Sequence, residues 1–339
     1  MSSLLSIPRE IRDNIIELSL SCVRKPHSSI AEAESTRSTK KNSHRPFFSS
    51  WSFGLKHVLF EPPSYTSSSL ALLLVNHQLS SETVATLSRL SNNAQLPPYE
   101  LDVMFVRELE LWPTWLSVPV IAKHLDRVNV TFRALGLHTG AKRQWNPGDG
   151  SPPQILWCFY YLMEHVLRQG PLPHTSSSAD RGVSIKTLHL DFVGPDGETC
   201  ATDTRYYIPS TVAWKGKEVR PEFLAYYLWH NISMLAKMDY HTAEYGEILY
   251  ERVGEVRFSV NGVEVQPPID FGESLARLHY EGPANTFGHV WPREKRVPAF
   301  EEWKRGAWRK RVERGLPVVG GEGGEAGSRE LEYEDASGH

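Results

Sequence analysis

At 339 residues, with 40% apolar and 23% charged side chains, the chain can fill the core of one large domain or two modest ones and is too apolar to remain disordered. A net charge of -3 excludes a general attraction to nucleic acid or anionic lipid, so either would need a local patch. Three scattered cysteines, Cys22, Cys158 and Cys200, exclude a disulfide framework and a paired-cysteine metal site, and they favour a reducing compartment.

The first predicted element is a helix from Ile7 to Leu20, with Ile7, Ile11, Ile15 and Leu18 at helical spacing. Pro8 suits its first turn, where no amide donor is needed. Arg9, Glu10, Arg12 and Asp13 interrupt the early apolar stretch, so neither a signal peptide nor a membrane span is expected. The chain reads as a soluble protein of the cytoplasm or nucleus. Residues 23–69 read as a flexible insertion, because Arg24 to Ser50 is basic and Ser-rich, with few aliphatic side chains to offset its ordering entropy. Leu70 to Leu90 is helical again, and a phase shift near Ser80 and Ser81 predicts two short helices.

Tyr99 to Val106 and Arg127 to Arg133 alternate apolar with polar residues, as half-buried strands do. Between them Pro113 and Pro119 predict a loop carrying Trp112 and Trp115. A helix over Pro152 to Gln169 is bounded by a Ser151 and Gln154 capping box and by Gly170-Pro171. The strand Val183 to Phe192 changes its inward parity around Lys186 and Thr187, as a bulge requires. Then come a helix over Pro221 to Met238, a hairpin turning at Asn261-Gly262, and an aromatic, basic helix over Pro298 to Arg314. Long helical connections between strands imply parallel neighbours. The fold class expected is α+β or mixed α/β: helices in residues 1–22 and 70–92, then a partly parallel sheet with flanking helices and a terminal hairpin in 93–315. A disordered Gly- and Glu-rich tail is expected over 316–339.

The opening Leu4-Leu5-Ser6-Ile7-Pro8-Arg9-Glu10-Ile11-Arg12, together with Leu72-Leu73-Leu74-Val75-Asn76-His77-Gln78-Leu79, resembles the F-box-like N-termini of a group of filamentous-fungal proteins. The likeness covers the first 135 residues or so and includes the stretch Glu110 to Trp115. F-box modules dock a Skp1-type adaptor through apolar residues of this first helical region and hold a cargo with the domain that follows. The resemblance therefore implies that Leu5, Ile7, Pro8, Ile11 and Ile15 meet such an adaptor within a ubiquitin ligase and that an unidentified protein is the cargo. The same positions also suit an internal role, packed on the Leu72 to Leu90 helices.

No histidine has metal-ligand spacing, no Gly-x-Ser-x-Gly turn is present, and no cofactor or metal is expected. An unfamiliar enzyme is the least favoured reading. Lys304, Arg305, Trp308, Arg309, Lys310 and Arg311 interleave cations with an aromatic, which is what a nucleic-acid or nuclear-import surface needs. The alternative for that segment is a helix docked by its aromatics with its cations in water.

Overall fold

The computed structural model describes residues 4–37, 56–61, 67–93, 95–136, 154–171, 180–194, 219–238, 243–280 and 292–321. Among them lie helices α1 (Arg9–Leu20), α2 (Ile30–Thr36), α3 (Ser68–Val75), α4 (His77–Asn92), α5 (Gln154–Gln169), α6 (Pro221–Ala236), α7 (Ala243–Arg252), α8 (Phe271–Arg277) and α9 (Arg293–Glu313). The strands are β1 (Tyr99–Val106), β2 (Glu110–Ser117), β3 (His124–Leu135), β4 (Ser184–Val193), β5 (Val253–Val260) and β6 (Val263–Asp270).

These strands form one mixed sheet in the order β2-β1-β3-β4-β5-β6. The four inner strands are parallel, and an antiparallel strand closes each side. Every parallel step from β1 to β5 moves the same way along the sheet. Right-handed crossovers that all advance in one direction place their helices on one face. That face carries Leu101, Val103, Phe105, Val128, Val130, Phe132, Leu188, Leu190, Phe192, Val256 and Phe258, buried in one cluster with residues of α5, α6, α7 and α8. Phe132 lies parallel to Phe192 at 5.1 Å, and Phe159 of α5 packs against it.

The other face is polar. Arg133 forks onto Asp102 at 2.7 Å, Asn129 donates to Glu100, Thr187 donates to Glu255, and Arg257 bridges Glu255 and Glu264. Parallel strands are usually covered on both sides and read as continuous apolar runs. Here winding in one direction leaves a water-facing side, which is why the strands alternate. Toward β1 and β2 that face is covered by α2, whose Ala33 and Ile30 pack with Met104, Val106 and Trp112.

The parity change expected at Lys186 and Thr187 is shared by three strands. Leu125, Ile185 and Val253 face the core, and so do Val128, Leu188 and Val256 three residues later. The strands slip together, so β3, β4 and β5 keep their register across the irregularity. It brings the Lys186 carbonyl against Gly254, where a Cβ would sit 2.2 Å from that oxygen.

Several sequence expectations are corrected. The Trp-bearing loop is the outer strand β2, entered through a turn in which Arg107 and Glu108 have φ of 51° and 59°. The two early helices part at Asn76, not at Ser80 and Ser81; Asn76 is extended and its side chain accepts the Leu79 amide, capping α4. The insertion is structured at both ends. Arg24 donates its amide to the Leu116 carbonyl, and Val58 is wholly buried and bridged to Leu111. Arg37, buried 5.4 Å over the Trp112 ring, donates to the carbonyls of Ala33, Leu59 and Pro113. The last helix begins at Arg293 and carries Pro298 inside it. The Asn261-Gly262 turn has the expected positive φ values of 50° and 78°. The Ser151 cap, residues 38–55 and the tail beyond 321 lie outside the described residues.

Gly254→Ala is expected to destabilise the protein by about 3 kcal/mol, because backbone, not a flexible side chain, would have to move. The midpoint of urea unfolding against wild type measures this.

Candidate interaction surface

The split motif is reunited in space. One side of α1 buries Arg12, Ile16 and Leu20, and Ile16 and Leu20 meet Leu90 in a small cluster with Leu72 and Leu87 at its margin. Arg12 is almost fully covered. Its Nε and Nη2 donate to both oxygens of Glu82 at 2.8 and 2.5 Å, although the two residues are 70 positions apart. Its Nη1 donates back to the carbonyls of Leu5 and Ile7. Gln78 adds a donor to Glu82 at 3.1 Å, and Arg89 pairs with Glu17 beside this node. The motif residues thus have physical duties: Arg12 ties, Asn76 caps and Gln78 braces.

The opposite side of α1 faces water. Ile11 is 48% exposed and Leu18 73%, with Ile15 half-buried between them, so positions i, i+4 and i+7 form a second apolar stripe. Leu5 is 40% exposed, Pro8 is exposed and Ile7 is half-buried. Of the five sequence-predicted residues, Leu5, Pro8 and Ile11 are thus exposed, and Ile7 and Ile15 are half-buried.

Helix α3 was not among the predicted site residues, yet it is inverted more strongly. Its sequence is Ser-Ser-Leu-Ala-Leu-Leu-Leu-Val, and its one buried residue is Ser69. Ser67 bonds to Ser69 and to the Pro119 carbonyl, while the Ser68 and Ser69 amides donate to Val118 and Pro119. Anchored by these serines, the helix leaves Leu74 74% and Val75 62% exposed at its end, while Leu70, Leu72 and Leu73 are half-buried. Of the fourteen large apolar side chains exposed among the described residues, eight fall within residues 4–84, so apolar exposure concentrates in this region.

The basic patch expected on the last helix is dispersed. Arg311 is wholly buried and donates to the carbonyls of Tyr250, Val253 and Pro317 at 2.6 to 2.9 Å. Arg314 donates to the Glu251 carbonyl, so together they satisfy the orphan carbonyls at the C-terminus of α7 and suit its dipole. Burial pulls the Arg311 guanidinium down to about 10. Lys304 does the same for α8, donating to Ala276 and Leu278, and Lys310 pairs with Glu251. Trp308 packs half-buried against the core, while Arg305 and Arg309 are exposed. A cation spent on buried carbonyls is not offered to phosphate.

Other polar groupings have structural explanations. Ser259, His189 and Asp191 meet on β4 and β5, but Ser259 stands in the middle: its hydroxyl donates to Asp191 at 2.6 Å and bonds His189 Nε2 at 2.9 Å. A hydrolytic serine gives its proton to histidine and is reachable. This one is fully buried and gives it to the carboxylate, which also accepts the Gly262 amide and so tethers the hairpin turn. Burial lowers the His189 pKa, favouring the neutral ring. A cleft of about 400 Å³ lies between α4 and the N-terminal ends of β1 and β3, with Leu87, Leu96, Pro98 and Val120 on its walls and His124, Asp126 and Arg127 around it. Among the described residues no three His, Cys, Asp or Glu converge as a metal site would require, and no helix is long and apolar enough to cross a membrane.

Compared with protein-family models, with curated proteins and with solved structures, the chain matches none.

Arg311→Met is expected to cost about 3 kcal/mol or more, because buried carbonyls on α7 lose their donors. Arg309→Met, at an exposed position of the same helix, should stay within about 0.5 kcal/mol. Thermal unfolding of the two variants side by side decides it. The Arg12 fork holds the Glu82 carboxyl down at about 2. A depressed acid stabilises the fold fully above its unfolded value, about 4.3, and loses that contribution as pH falls toward 2. The stability gap between wild type and Glu82→Gln should therefore be constant above pH 5 and shrink below pH 4, followed by circular dichroism.

Proposed function

We propose that the protein is a non-catalytic adaptor, acting in the cytoplasm or nucleus. Its N-terminal helices dock a Skp1-type protein through Leu5, Ile7, Pro8, Ile11 and Ile15, and its α/β domain holds a second protein as cargo. The observation that carries this reading is the outward apolar side of α1, Ile11 to Leu18, beside an α3 that buries a serine and exposes Leu74 and Val75. A folded protein gains nothing from hydrocarbon in water, whereas a partner groove accepting an i, i+4, i+7 stripe recovers about 1.5–3 kcal/mol for each large side chain it covers. A nucleic-acid role draws less support, since Lys304 and Arg311 are consumed inside the fold.

Copurification with a Skp1-type adaptor tests the proposal. Wild type should be retained, Ile11→Asp should bind at least about tenfold more weakly, and Val263→Asp, an exposed apolar position on β6, should bind like wild type. Absence of wild-type binding, or equal binding by all three, rules the adaptor reading out.

A further inference from the structure

We propose that Arg12 is a positioning residue, whose task is to set the turn that carries the partner-facing side chains rather than only to join α1 to α4. This inference rests on the adaptor reading for its purpose but not for its geometry. The turn from Leu4 to Ser6 is a single 3-10 turn with no buried residue of its own. Pro8, at the head of α1, has no amide to donate and no side chain with which to cap. Within this stretch the Ile7 amide donates to the Leu4 carbonyl, and the Ile11 and Arg12 amides donate to that of Pro8. Leu4 and Leu5 are exposed, so burial of hydrocarbon gives the segment little reason to hold one shape.

Arg12 supplies that reason from inside. Two of its nitrogens are spent on Glu82 of α4, itself braced by Gln78, so the guanidinium plane is fixed. The third nitrogen then points at the carbonyls of Leu5 and Ile7, on either side of Ser6. A guanidinium does this because its donors form a rigid fork; an ammonium is a point charge and cannot serve a carboxylate and two carbonyls in fixed directions. The pair is therefore a template: α4 orients Arg12, and Arg12 orients the turn bearing Leu4, Leu5 and Ile7. Preorganising a recognition surface raises affinity by removing the ordering cost at the moment of binding.

Arg12→Lys separates positioning from mere attachment, because lysine keeps the charge opposite Glu82 and loses the fork. Amide exchange of the free, full-length protein is the first readout. Arg12→Lys should speed exchange at Ile7, Ile11 and Arg12/Lys12 by about tenfold, while amides of α4 and of the sheet keep their protection. Retention on a Skp1-type adaptor should fall by about tenfold in the same variant. Glu82→Gln, which frees the guanidinium to swing, should move the same amides in the same direction. If exchange near the turn is unchanged in Arg12→Lys, or if it rises equally throughout α1 and α4, Arg12 is a structural tie and the inference is wrong. If the exchange result holds but wild type never binds the adaptor, positioning stands and the adaptor reading alone fails.

Discussion

The constraint that shapes this molecule is the direction of winding. From β1 to β5 the chain steps along the sheet one way, and right-handed crossovers then stack α5, α6 and α7 on a single side. One consequence is a sheet face left to water, filled with cross-strand pairs such as Asp102 with Arg133 and Thr187 with Glu255. Another is that the N-terminal helices find no place in the main layer. They join the edge instead, α3 by its serines to the strand-end segment at Val118 and Pro119, and the segment from Arg24 to Arg37 along β2. Helices held by polar anchors at an edge keep apolar sides that the core never uses.

A shared device secures these peripheral parts. Arg12, Arg37, Arg252 and Arg311 each place a guanidinium, largely or wholly buried, against main-chain carbonyls. Burying a cation is costly unless its donors are satisfied, and five donors in one plane let it satisfy several chain segments at once. Each of these arginines ties together chain segments distant in sequence. Arg311 links α9 to the end of α7 and to Pro317, and Arg37 links α2 to β2. Two of the cations that made the last helix look like a phosphate-binding surface, Lys304 and Arg311, are interior carpentry.

This explains which parts of the fold could be read from sequence. Alternation over Tyr99 to Val106 and Arg127 to Arg133 was informative because only one sheet face is apolar, and the mixed sheet with parallel neighbours follows from the helical connections. The Asn261-Gly262 turn was legible because those residues adopt positive φ readily. The turn at Arg107 and Glu108 needs the same backbone, but its residues do not advertise it. Pro113 hid β2 for a related reason: a proline argues against a strand unless that strand lies outermost, a fact topology alone supplies. The ordered ends of the insertion were missed because composition averages over a segment, whereas a few residues, Val58 and Arg37 above all, do the anchoring. At the candidate surface, Ile11 and Ile15 were singled out by the resemblance, whereas periodicity placed a helix over α3 without telling which of its sides is buried. Nothing in a run of leucines says that its serines are the side turned inward.

Both margins of the sheet are interrupted. Beside β2, Val58 and Leu59 pair with Leu111, and Arg24 bonds to Leu116. In β6, Pro267 and Pro268 follow one another, and the Pro267 carbonyl is taken by the Trp229 indole. An incoming strand would meet a covered edge at β2 and, at β6, two successive prolines without amide donors, so the sheet offers a broken template along which to lengthen and resists end-to-end stacking into fibres. Association with other chains is thereby directed to side-chain surfaces, where shape and chemistry, not backbone ribbon, select the companion.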